Sequence, residues 1–348
     1  MEWRHNLVFG DERTRFTGFS LTAESNTCYN LWLTDPATLK LHYINFDSQG
    51  NIGKAFPTKE DLCDAILPYA DGYILASYKA GRASIVGYTP DHLEIWKGSL
   101  SDADSQHWSL ATGTDGILRI LYSSCNLYDA YRQAHVVTVN PGADPALEPF
   151  FTVPDDDYPI AQLIIAQPEQ LAVCARSRGA GTAYYILTYE GELTKSGAFS
   201  SHPHSKWAVP LCQTPLENGD ILMGGYREDI PNQRSAWVCS FDAELSALNG
   251  KVVAGDNAEQ AITAFAPQVD GTVLALCPPW RILRFSSKGL LTHVWETPST
   301  LRQNSLTAIL AAPDGGCFIT GRSFSKRENN MTPAIWLGKI ALNEFVEL

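Results

Sequence analysis

QTPLENGDILMGGYREDIPNQRSAWVCSFDAEL, Gln213 to Leu245, is the stretch from which the architecture follows. An apolar approach ends at Asn218-Gly219, and a short apolar run, Ile221 to Gly225, comes next. After a polar excursion, a second alternating segment carries Trp237, Cys239 and Phe241, and Asp242–Glu244 turns the chain again. A two-residue Asn-Gly or Asp-Gly turn between alternating apolar runs is the strongest short-range hairpin signal. One such unit is a small antiparallel sheet with open edges, which needs neighbours.

The same grammar recurs along the chain, with turns at Ser25-Asn26, Asp71-Gly72, Asp115-Gly116, Pro168-Glu169, Asp270-Gly271 and Asp314-Gly315. From Asp71 to Asp314, five intervals cover 243 residues, so the repeat averages just under 49. That is the size of one four-stranded propeller blade. The expectation is a single all-β domain over 1–348, a seven-bladed β-propeller of antiparallel blades. The blades are expected at about 11–57, 61–100, 107–152, 158–199, 207–253, 260–296 and 304–348, with 1–10 joining the last. A β-sandwich or two small β domains is the competing architecture; regular spacing and the lack of a linker favour the ring. Closure is expected from both termini, with Trp3–Phe9 beside AIWLGKI and the terminal EFVEL as the outer strand of the seventh unit. Such pairing hides edges that would otherwise recruit another chain.

The units resemble the blade repeats DG-φ-φ-φ-x-G and aromatic–D–x–x–G of quinoprotein-like and WD40-like propellers. The resemblance spans most of the chain and implies blade geometry. The Trp-Asp dipeptide of WD40 proteins, a repeated Gly-Gly/Trp pairing of the kelch type and the S-x-D-x-G-x-x-W box of sialidases are absent, so no activity follows from it.

Composition narrows the function classes. The chain is 45% hydrophobic and 11% aromatic, enough for a large core, and its formal net charge is −12. That balance argues against nucleic acid and against an anionic membrane surface as partners. No apolar run approaches the ~20 residues of a membrane helix, and MEWRHNLVFGDERTRF does not read as a secretory signal. The eight cysteines form no CxxC pair; all but Cys125, placed in a loop, fall in expected strands as small apolar residues. A reduced, cytoplasmic location is expected.

In a propeller the D–A and B–C loops share one rim around the channel, where ligand sites of closed β structures gather. Long B–C loops are expected in blades three (SSCNLYDAYRQA), five (YREDIPNQRS) and seven (SFSKRENNMTP). On the D–A side, SHPHSKW places His202 and His204 around one proline, with Asp155–Asp157, Asp102, Asp104 and His107 in neighbouring loops. Two imidazoles and a carboxylate such as Asp157 suit acid–base work, or a divalent metal that activates water. A second constellation is aromatic and cationic: Tyr131 and Arg132, Tyr226 and Arg227 with Arg234, and Arg322. Arginines there would clamp a carboxylate or phosphate, while Trp207 and Trp280 would wall an organic ligand. For each group the plainer reading is a solvated loop decoration. Two functions stay open: an enzyme of hydrolase, lyase or cyclase type acting on a small organic substrate, or a non-catalytic platform for a protein or peptide.

Overall fold

A computed structural model of the protein describes residues 1–7, 17–25, 27–35, 40–61, 65–69, 72–79, 82–100, 103–126, 131–139, 147–154, 160–177, 181–198, 208–230, 233–242, 244–253, 261–297, 305–327 and 330–347. After β1 (Trp3–Leu7), blade one is β2 (Thr17–Ala23), β3 (Cys28–Asp35), β4 (Lys40–Asp47) and β5 (Ile52–Asp61). Blade two is β6 (Ala65–Tyr69), β7 (Gly72–Lys79), β8 (Arg82–Tyr88) and β9 (Glu94–Leu100). Blade three is β10 (Ala103–Thr112), β11 (Leu118–Asn126), β12 (Tyr131–Val139) and β13 (Leu147–Thr152). Blade four is β14 (Ile160–Ala166), β15 (Gln170–Ser177), β16 (Gly181–Thr188) and β17 (Leu193–Ala198). Blade five is β18 (Ala208–Pro215), β19 (Ile221–Ile230), β20 (Gln233–Phe241) and β21 (Ala247–Val253). Blade six is β22 (Ala264–Pro267), β23 (Val273–Cys277), β24 (Arg281–Phe285) and β25 (Leu291–Glu296). Blade seven joins β26 (Ser305–Ala311), β27 (Cys317–Arg327) and β28 (Asn330–Ile340) to β1, and β29 (Val346–Glu347) lies on the outer edge of blade six. Every pairing is antiparallel, as hairpin connections dictate.

The seven sheets form a ring. Each of seven buried clusters joins one blade to the next: Trp32 and Leu41 with Ile66 and Leu75 between blades one and two, for example. The last of these joins Ile335 and Leu337 of blade seven to Leu31 and Phe46 of blade one. The first and last blades also meet through their innermost strands, β2 and β26. β1 runs beside β28 with Trp3 opposite Lys339 and Leu7 opposite Ile335, so the N-terminal strand is the outermost strand of blade seven. The terminal segment departs from expectation. Val346 pairs with Val294 and Glu347 with His293, covering blade six rather than completing blade seven.

The turns explain how short sequence signals set these hairpins. At Leu216–Asp220 the two end residues bond through their backbones, and Gly219 donates to Leu216. Only Gly219 has a positive φ, +85°, so the connection is a type I turn closed by a left-handed glycine rather than a two-residue mirror-image turn. Asn218 Oδ1 accepts the Asp220 N–H at 3.2 Å, and Asp115, Asp270 and Asp314 serve Ile117, Thr272 and Gly316 in the same way. The outer turns use a different signal. Asp47, Thr89, Thr188, Asp242 and Ser286, each at the first position, accept the N–H four residues on. These side chains replace water on turn amides, which is why Asp, Ser and Thr mark the sites.

Strand length is asymmetric across the ring. The expected long loops of blades three, five and seven are mostly strand: β11–β12, β19–β20 and β27–β28 continue their ladders to Asn126–Tyr131, Ile230–Gln233 and Arg327–Asn330. Cys125 therefore pairs with Arg132 on a ladder and is not a loop residue. Of the residues expected in D–A loops, Asp104 and His107 likewise belong to a strand, β10.

Four innermost strands carry one extra residue, at Phe19, Gln162, Leu211 and Thr307. Beside two of these bulges the facing strand has no room for a side chain: a Cβ on Gly225 would lie 1.9 Å from the Val209 carbonyl oxygen, and one on Gly321 2.4 Å from that of Ser305. Across the next ladder Trp237 opposes Gly225 and Trp336 opposes Gly321, both tryptophans wholly buried. Gly225→Ala should destabilise the protein by about 2 kcal/mol or more, because backbone must move. Gly116→Ala, at φ +75° with open space around it, should cost only about 1 kcal/mol. Denaturant midpoints of the two variants check the contrast.

His92 supplies a second expectation. It turns the chain between β8 and β9 at φ 61°, with its ring 4.0 Å from that of Tyr43 and its Nδ1 2.7 Å from Tyr73 Oη. Desolvation holds its pKa below the usual histidine value, with Glu24 and Asp91 opposing weakly. The unfolded chain therefore takes up a proton first, and stability should fall as pH drops below about 6.5 toward the lowered folded value. His92→Asn, which tolerates the same φ, should flatten stability against pH over that window.

Candidate functional site

Three rim residues come from equivalent positions of blades four, five and seven. On β15, Arg176 stands opposite Ile160; on β19, Tyr226 stands opposite Val209; on β27, Arg322 stands opposite Ser305. All three occupy the sixth position counted from the ladder's start at Leu171, Ile221 and Cys317. Equivalent positions point the same way around the ring: Ala172 and Cys174 of blade four pack against blade five, and Leu222 of blade five packs against blade six. Arg176, on the side of blade four that faces blade five, donates from Nη1 to Tyr226 Oη at 3.0 Å, fifty residues away in sequence.

Blade five contributes a second cation. Arg234, on β20, holds its guanidinium carbon 4.4 Å from the centroid of the Tyr226 ring. Tyr226 is 5% exposed, so its ring is a fixed platform, whereas Arg234 is exposed and Arg176 partly so. Arg227, the neighbour of Tyr226, is partly buried and stands opposite Ala208. Among the described residues no carboxylate pairs with Arg176 or Arg234, in contrast to the ion pairs Arg119–Asp115, Arg281–Glu296 and Arg284–Asp270. Among the described residues, the rim thus offers two guanidinium groups without a carboxylate partner.

Trp280 lies on the same rim in blade six, in the turn before β24. Its carbonyl accepts the Thr297 N–H at 2.8 Å, and the Pro279 carbonyl accepts the Leu306 N–H of blade seven at 3.0 Å. Arg322 is exposed at the corresponding level of blade seven, apart from the Arg176–Tyr226 pair. Tyr131 and Arg132 open β12, and His107 falls where β10 departs from regular pairing between Asp104 and Trp108. His202, His204, Asp157 and Trp207 lie outside the described residues. The segment bearing the two histidines enters β18 at Ala208, the ladder partner of Arg227. Among the described residues, no three His, Cys, Asp or Glu side chains converge to hold a metal ion.

Arg176 was legible only through the repeat. Its local context, CARSRG, carries no motif, but its fifty-residue separation from Tyr226 matches one blade. Burial pushes the Cys239 and Cys277 thiols up to about 12, and those of Cys174, Cys212 and Cys317 higher still.

No family model matches the chain, and no curated protein matches it. Solved structures share its fold. The periplasmic gluconolactonase PpgL of Pseudomonas aeruginosa is 13% identical with a TM-score of 0.58, over 95% of this chain and 98% of that one. The Dos1 propeller is 9% identical with a TM-score of 0.51, over 93% and 95%. The α-L-arabinofuranosidase Arb93A of Fusarium graminearum, solved with an iminosugar inhibitor, is 11% identical with a TM-score of 0.50, over 98% of both chains. At these identities the likeness is one of fold.

A double-mutant cycle of Arg176→Gln and Tyr226→Phe should give a coupling of about 1–2 kcal/mol in unfolding free energy, the worth of a hydrogen bond from a charged donor.

Proposed function

We propose that the chain acts on a small organic anion held on the rim where blades four and five meet. The observation that carries this reading is the convergence of Arg176 and Arg234 on the buried Tyr226, with no carboxylate partner for either among the described residues. In a chain of net charge −12, unneutralised guanidinium groups grouped in one place favour a carboxylate or phosphate. Arg176 anchors the anion, Tyr226 fixes the plane against which Arg234 rests, and Trp280 offers an aromatic wall one blade away. His202 and His204 are the acid–base candidates, since their segment leads into the strand that pairs with Arg227.

The small-molecule reading is preferred to the protein platform on one further point. Among the described residues the large exposed apolar side chains are Leu93, Ile117, Leu193, Val269 and Leu290, at or beside turns on the opposite end of the ring, with Ile95 on β9 and Val346 on β29. Singly exposed apolar residues are ordinary on a soluble surface and do not make a docking patch.

Calorimetric titration with gluconate and with inorganic phosphate at low ionic strength tests the proposal. Binding of at least one of them should weaken about tenfold in Arg176→Gln and again in Arg234→Gln, with the fold intact by circular dichroism. Equal affinity in wild type and both variants, or no binding of either anion at millimolar concentration, would overturn it.

A further inference from the structure

A second feature lies away from the rim arginines, at the seam between blades two and three. A cavity of about 530 Å³ opens there, with Leu100, Leu147 and Pro149 among its walls and Ser124, His135 and Thr152 on one face. The ladders put those side chains together. Tyr122 is opposite His135, His135 is opposite Thr152, and Ser124 is two residues beyond Tyr122 on the same side of β11. Side chains two apart on a strand share a face, so the imidazole has a hydroxyl on each side.

The distances are those of a nucleophile and its base. Ser124 Oγ is 2.8 Å from His135 Nε2, and Thr152 Oγ1 is 3.0 Å from His135 Nδ1. The Tyr122 ring lies 5.4 Å from the imidazole, and Trp108 stacks behind Tyr122 at 5.9 Å, so the ring is held on a rigid backing. In the tautomer with hydrogen on Nδ1, that N–H donates to Thr152, and Nε2 is left to accept the Ser124 proton. A hydroxyl within hydrogen-bond reach of an imidazole whose other nitrogen is fixed by a third group is the arrangement that activates serine.

We propose that this cavity is an acyl-transfer site, with Ser124 as nucleophile and His135 as general base, for a neutral ester of a short acyl group. The substrate class follows from the walls. Among the described lining residues none is a carboxylate, lysine or arginine, which favours an uncharged substrate, and Leu100, Leu147 and Pro149 give an otherwise polar lining one apolar side that fits a short acyl group. Ser124 Oγ bonds to the carbonyl carbon as its proton passes to Nε2. The bond from that carbon to the alcohol oxygen then breaks, and the departing alcohol takes the proton from Nε2. Water attacks the acyl-serine, giving one proton to Nε2 and then to Ser124 Oγ as the carboxylic acid leaves. Gln133, the ladder partner of Ser124, brings an amide donor to the same face for the oxyanion. Thr152 is a positioning residue. Being neutral, it supports the imidazolium less than a carboxylate would, which suits esters with good leaving groups rather than amides.

The test uses the whole chain with a fluorophosphonate probe and p-nitrophenyl butyrate. One label per chain on Ser124, located by peptide mass, and hydrolysis that Ser124→Ala abolishes are the expected results. His135→Gln should slow labelling about a hundredfold or more. Wild-type labelling should rise with pH as an imidazole loses its proton, and Thr152→Val should move that profile while leaving the label on Ser124. Ser124→Cys, which keeps a nucleophile, should regain reaction with a thiol-directed ester analogue if the His135 variant does not fold. No label on wild type, a label on another residue, or labelling unchanged in Ser124→Ala would overturn the proposal.

Discussion

Each blade is a four-stranded sheet with two apolar faces, and only the next blade can cover them. This burial is what the rest of the structure depends on. Trp32, Trp237 and Trp336, each wholly buried, lie in three different inter-blade clusters, and a side chain of that size contributes roughly 2–3 kcal/mol when fully removed from water. Because every face must be covered, a row of blades is unstable at its ends and a ring is not. The pairing of β1 with β28 belongs to the same logic, since it covers an edge that would otherwise offer unpaired backbone groups.

The two ends of the ring meet this constraint differently. At the turn end, Asp115, Asp270 and Asp314 satisfy their own turns and also pair with Arg119, Arg284 and Lys339. Arg119 is 1% exposed and packs between Phe150 and Tyr189, so a charged residue ties blade three to the outer turn of blade four. That end leaves little freedom. At the other end the hairpins of blades three, five and seven extend well past the short turn of blade six, and hairpin length can change there without disturbing a seam. Variation at one end and rigidity at the other suit a fold that carries its chemistry on the rim.

Two places on this frame gather polar groups that the seams do not require. On the rim, Arg176 reaches across the seam between blades four and five to Tyr226, so two neighbouring blades make a composite site. Between blades two and three, alternation along β11, β12 and β13 collects a serine, a histidine and a threonine on one face. Neither arrangement uses residues adjacent in sequence. Both are consequences of period, the first of the blade and the second of the strand.

The number of blades, the antiparallel order and the place of most turns were legible in the sequence, because Asp-Gly and Asn-Gly pairs recur at nearly constant spacing and local turn chemistry needs no distant partner. The outer turns marked by Thr89 or Asp242 were less so, since their signal is a side-chain oxygen at the first position rather than a glycine. The hairpin tips of blades three, five and seven read as loops because their polar residues lack alternation, yet ladder bonding carried the strands through them. Tyr226 and Arg227 were identified as rim residues by blade position; Arg176 had only its equivalence to Tyr226 in the repeat to mark it, and Ser124, His135 and Thr152 had no such mark. By itself, the sequence determined the repeat, since hydrophobic alternation and turn residues act within a few positions of one another. Only the tertiary structure decided which side chains meet, because a seam between blades pairs residues about fifty apart and a ladder pairs residues by register, and neither distance is written in any local stretch.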